Sequence, residues 1–230
     1  MTQPAEPPDL AQRDAAAKED AAARYVMHRD KDYLTWLASD TATGLAGALA
    51  TFAIPLIAIA ITDSPVQAGI IGAASMLVRL VATLFGGVMA DRHDRLLLMV
   101  LGALGGLVVA AAFALLDLSG GLTFVALFAI SVLLSLRAGL FDVAGESAIK
   151  QVVPAQAMGR AQAANQARDA AVNLAGGPAG GALLAGGAWL VALGAAGAHV
   201  AALVTAVILR RRSGAMAPTP EKEPARSAGT

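Results

Sequence analysis

Cysteine is absent from the 230 residues, which removes disulfides, thiolate metal sites and cysteine nucleophiles at once. Aromatic residues are scarce, at 4%. Net charge is zero, so the total offers nothing to nucleic acid and only the positions of the charges carry information. Catalytic signatures are missing too: no H-E-x-x-H, no G-x-x-x-x-G-K-[ST] and no G-x-G-x-x-G opening a helix after a strand. Ser147 to Lys150 spells S-x-x-K, but its partner motifs are absent. The chain is therefore expected to be no enzyme, to hydrolyse no ATP and to need no metal or cofactor.

What the chain has in abundance is apolar residues, 57%, against the 45–50% of soluble domains. Because a hydrocarbon core of about 30 Å takes about 20 helical residues, six runs qualify as spans. They run from Leu34 to Ile61, Val66 to Ala90, Leu96 to Leu116, Leu122 to Val143, Ala164 to Leu184 and Ala188 to Leu209. The first three breaks are short, while the one after Val143 is long. The expected fold is all-α and integral to the membrane, since only helices and closed barrels satisfy their backbones in lipid. Residues 34–212 form the six-span domain, and residues 1–33 and 213–230 read as disordered cytoplasmic tails, the latter a tail or linker. The opening MTQPAEPPDLAQRDAAAKED is acidic and poor in apolar residues, unlike a cleavable signal peptide.

Orientation follows from Lys and Arg, which short loops retain on the cytoplasmic side. In the six-span arrangement all 17 except Arg79 and Arg137 fall on one side. The opposite turns carry Asp63 and Asp117. Both termini are thus expected in the cytoplasm of a cell (inner or plasma) membrane, with Tyr33, Trp36 and Trp189 near the interfaces.

The most specific segment is GGVMADRHDRLLLMV, Gly86 to Val100, a charged cytoplasmic turn squeezed between two spans. Asp91 lies at a helix C-terminus, where the macrodipole disfavours a carboxylate, so it needs a cation or another helix N-terminus. Asp94 is a plausible N-cap, and Gly87 lets another helix come close. The spacing of Gly87, Asp91, Arg92 and Arg95 resembles the G-x-x-x-D-R-x-G-R-[RK] signature of the major facilitator superfamily. Asp94 and Leu96 depart from it, and the DRxDR form is similar to the family's drug and siderophore exporters. The resemblance implies that Asp91 and Arg95 belong to a gating charge relay, for which Asp142 and Glu146, one turn apart, are available partners. VVPAQAMGRAQAANQ, Val152 to Gln166, is similar to the V-P-x-x-x-x-G-R-A-x-A loop of the same exporters. Gly177, Pro178 and Gly181 resemble the family's antiporter motif, with Ala182 in place of its last Gly. Pro178 frees a carbonyl and kinks the helix, while Gly176 with Gly180 and Gly177 with Gly181 make faces for close packing.

Charges inside spans are costly and functional by default. Arg79 and Arg137 are expected to face a central cavity and hold a carboxylate or an anionic substrate group, unless each snorkels or pairs structurally. Asp40, two turns into the first span, is the leading proton-site candidate, with an interfacial cap as the alternative. Arg168 is expected to face headgroups, and His199 to be a buried, hydrogen-bonded histidine. The resemblance covers Leu34 to about Arg212, one six-span half of a family whose members carry twelve. It implies a transporter for proton-coupled efflux of amphipathic small molecules by alternating access, working as a homodimer or with a separate C-terminal half. The alternative is a non-transporting fragment or membrane interaction subunit. Lipid and the small-molecule substrate are the other expected partners.

Overall fold

The computed structural model describes residues 26–213. Among them are two short 3-10 turns, Met27–Arg29 and Ala155–Ala157, and six α-helices. The helices are α1 (Lys31–Thr62), α2 (Pro65–Arg92), α3 (Arg95–Leu118), α4 (Phe124–Val152), α5 (Met158–Leu184) and α6 (Ala188–Ser213). The first four start on side chains that accept from the otherwise unpaired first-turn amides. Asp30, Ser64, Asp94 and Thr123 supply those caps, and Pro65 adds a residue pre-set for a first helical position.

Five of the helices, all but α5, are long and apolar enough to cross a membrane. Helix α5 carries Arg160, Gln162, Asn165, Gln166, Arg168, Asp169 and Asn173, too much polarity for its length to count on composition alone. The long break expected after Val143 is replaced by helix on both sides. Helix α4 continues to Val152 and α5 begins at Met158, leaving only residues 153–157 between them. The cause is the spacing of the charges: Asp142, Glu146 and Lys150 recur every four residues and share one face, while Ala144, Gly145, Ala148 and Ile149 pack inward. At the N-terminal side, the turn Met27–Arg29 and the helix from Lys31 lie inside the stretch expected as a tail; residues 1–25 and 214–230 of the expected tails lie outside the described residues.

Helix α1 packs on α6 and α5, α3 on α6 and α4, and α2 chiefly on α4, with α1 also touching α2 and α4. The two largest apolar clusters fill most of the interior. One, around Leu49, Ile57, Phe113, Leu127 and Val191, lies toward the α1–α2 turn. The other, around Trp36, Leu96, Ile149 and Leu209, lies toward the α2–α3 loop. Tyr33 and Trp36 are buried in this second cluster. Trp36 can be buried because its Nε1–H donates to the Gly145 carbonyl at 2.9 Å, which satisfies the one polar atom of the ring.

The tightest crossing joins α2 to α4. A Cβ added at Gly139 would lie 2.5 Å from the Ala82 Cβ and 2.7 Å from the Arg79 carbonyl, and one added at Gly86 would meet the Gly139 and Leu140 carbonyls. The residue that admits the neighbouring helix is therefore Gly86, whereas Gly87, expected in that role, faces open space. Opposite this crossing α2 is the least enclosed helix, with Met76 77% and Leu84 70% exposed.

Candidate functional site

Asp40, Asp142 and Arg168 each lie about ten residues, roughly 15 Å at 1.5 Å per residue, from the end of their helix nearest the α2–α3 loop. The three form a charged layer across α1, α4 and α5. Arg168 Nη2 donates to Asp40 Oδ2 at 2.5 Å and to Asp169 Oδ1 at 2.6 Å, and its guanidinium lies 5.8 Å from the centre of the Trp36 ring. That geometry combines charge-assisted hydrogen bonds with a cation–π contact. Expected to face headgroups, Arg168 is in fact the tie between α1 and α5. A contact between two helices is invisible to spacing along one of them.

Arg137 is buried and pairs with Asp142, Nη1 to Oδ1 at 3.1 Å. Its stem passes over Gly105 of α3, so it sits between helices. His199 of α6 is also buried, and its ring packs on Gly106 of α3; its Nδ1 and the Arg137 Nε have no hydrogen-bond partner among the described residues. The hydrogen bond expected for His199 is thus missing at that nitrogen. Arg79 is exposed on α2, within electrostatic range of Asp142 and Glu146. Glu146 is exposed on α4 and also interacts electrostatically with Asp40, Asp142 and Asp169. A small polar void of about 20 Å³, room for one water, lies among Ser39, Asp40, Thr43, Arg137 and Asp142.

In the α2–α3 loop, Asp91 occupies the last turn of α2 and its side chain is 78% exposed, with Arg95 Nη2 at 3.9 Å. Arg95 also donates from Nε to the Ala90 carbonyl at 3.3 Å, capping α2. Arg92 is exposed beside them. No hydrogen bond or ion pair links Asp142 or Glu146 to Asp91 or Arg95 among the described residues. Asp94 is the N-cap of α3, accepting from the Leu96 amide at 3.0 Å, and its second oxygen accepts from Arg210 Nε of α6 at 3.2 Å. The Asp94 to Arg210 pair leaves no mark in the sequence, because 116 residues separate its members.

At the far end of α3, Asp117 accepts from the Trp189 amide at 2.8 Å and so caps α6 from another helix. In α5, Pro178 lies inside a helix that continues through it. Gly176 and Gly180 are buried against α1, where a Cβ at Gly176 would lie 2.5 Å from that of Ala48. Gly177 and Gly181 lie at ordinary contact distance from the Phe52 ring.

A family model described as Major Facilitator Superfamily matches residues 39–229. No curated protein and no solved structure matches.

Proposed function

The chain belongs to the major facilitator superfamily, and from that premise we propose that this membrane transporter exports amphipathic small molecules in exchange for protons, in the manner of the family's drug and siderophore exporters. All six helices cross the membrane, both termini are cytoplasmic, and the membrane is the cell membrane. Helix α5 crosses despite its polarity because Arg168 is ion-paired with Asp40 of α1 and with Asp169 and Gly176 and Gly180 seat it on α1.

The observation that carries this reading is the charged layer. Asp40, Asp142, Glu146, Arg79 and Arg168 come from four helices and are joined by electrostatic interactions, and Arg79, Glu146 and Asp169 are exposed. Charges at mid-span cost roughly 2.5–3.5 kcal/mol each on insertion scales, so a layer open to one side is relieved by a polar cavity with a facing wall. A second six-helix unit, a second copy or a separate C-terminal half, supplies that wall. Alternating access is then the rocking of the two units, with Asp40 as proton site, Arg79 and Arg137 as the cations of the layer, and Gly87, Asp91, Arg92 and Arg95 as the gate. Asp142 and Glu146 relay between layer and gate, and Gly177, Pro178 and Gly181 form the antiporter-like kink.

Crosslinking in native membranes with mass measurement, together with dye efflux from the same vesicles under an imposed pH gradient, tests the proposal. The expected result is a dimeric or heteromeric mass and efflux that a protonophore abolishes. Efflux from a strictly monomeric species overturns the need for a second unit. A stable complex without efflux favours the non-transporting subunit instead.

A further inference from the structure

Helix α3 begins and α6 ends at the same level, side by side. Arg210 holds the last turn of α6 against the N-cap of α3 through Asp94. Next to this pair lies an open surface cleft of about 430 Å³, lined by Val100 of α3 and by Val207, Arg210 and Arg211 of α6. One end of the cleft is cationic and the other is apolar. Arg211 is exposed and has no ion pair among the described residues. From the cleft, exposed apolar rows continue along both helices: Leu101, Leu104 and Val108 on α3, and Ile208, Val204 and Val200 on α6. Their three- and four-residue spacing keeps each row on one helix face.

We propose that this cleft binds an anionic phospholipid, with its phosphate on Arg210 and Arg211 and the start of an acyl chain on Val100 and Val207. The arrangement reproduces in one place the two halves of a lipid at an interface. Guanidinium forks match phosphate oxygens in pairs, and basic pockets between spans select acidic headgroups. A zwitterionic lipid brings its own cation, which Arg211 repels. Free phosphate would use the arginines and leave the valines and the rows beyond them uncovered, which is why the occupant is a lipid. Arg210 has donors to spare, since its Nε serves Asp94 and its terminal nitrogens remain for the ligand. Bound lipid therefore touches the cation that steadies the start of α3, next to Asp91 and Arg95.

The full chain, purified in mild detergent, is titrated with dioleoylphosphatidylglycerol or dioleoylphosphatidylcholine, and retained adducts are counted by native mass spectrometry. Phosphatidylglycerol should be retained about tenfold more than phosphatidylcholine. Arg211→Gln should lower its affinity about fivefold, the weight of one surface cation near an anionic headgroup. Val207→Trp, which fills the apolar end, should lower it as well, and thermal unfolding of each variant verifies that it is folded. Lys150→Gln, an exposed cation at the same end of α4, should leave it unchanged. Equal retention of the two lipids, or an equal loss with Lys150→Gln, overturns the proposal. So does displacement of the lipid by millimolar inorganic phosphate with Val207→Trp silent, which assigns the arginines to a free anion.

Discussion

Asp91 and Asp94 are three residues apart and stand in opposite situations. Asp94 is engaged twice, by the Leu96 amide and by Arg210, so its loss releases both a helix cap and a tie to α6. Asp91 is mostly exposed, and its one cation lies 3.9 Å away, a loose surface pair of little value to folding. Asp91→Asn should change stability by less than about 0.5 kcal/mol and leave the amount of protein in the membrane intact, while export falls at least tenfold. Immunoblots of membranes and vesicle efflux check the two halves of that statement, and normal export or vanished protein contradicts it. Arg168 is the converse case, a largely enclosed guanidinium on which Asp40 depends. Arg168→Ala should cost roughly 3 kcal/mol, as removal of one partner from a buried pair does. Adding Asp40→Asn should return part of the loss, measured as unfolding midpoints of both single variants and the double. Simple additivity would mean that the pair is not a pair. The motif around Asp91 was legible in the sequence because its residues are neighbours. The partners of Arg168 on α1, Thr41 and Asp40, 127 and 128 residues distant, were not, because spacing along a chain reports only what shares an element.

Helices were legible in kind and misplaced in extent. The apolar runs placed α1, α2, α3 and α6 to within a few residues, since a long apolar run bounded by charge satisfies its backbone in lipid as a helix. Helix α4 was cut short at the charges of its last turns, which mark a polar face of a continuing helix. Among glycines, the family motif drew attention to Gly87, but the packing depends on its neighbour. Gly86→Val should overpack the α2–α4 crossing at a cost of about 1–3 kcal/mol or more, because the atoms it meets are the backbone of α4. Gly87→Val, facing open space, should cost little beyond the propensity of a β-branched residue in a helix. Comparing the unfolding midpoints of the two variants decides it, and equal losses would refute the crossing. If Gly87→Val alone impaired export while remaining stable, that glycine would be reserved for the opposing unit.

For the whole molecule the polarity of α5 sets the sharpest test. With six crossings, reporter fusions at Asp63, Asp117 and Gly186 should read outside, and those at His93 and Pro154 inside. A fusion at Gly186 that reads inside would leave α5 on the cytoplasmic face and α6 inverted. Such inversion conflicts with the placement of α6 beside α3, because the carboxylates of Asp94 and Asp117 grip α6 at opposite ends, one at Arg210 and one at the Trp189 amide. Those two grips have a mechanical consequence. A pair of rods pinned at both ends resists sliding and splaying, so α3 and α6 act as a keel. Rocking of the six-helix unit during a transport cycle should then leave α3 and α6 in register. Spin-label distances between α3 and α6 should stay constant as the protein turns over, while those from Arg79 to the facing unit should change.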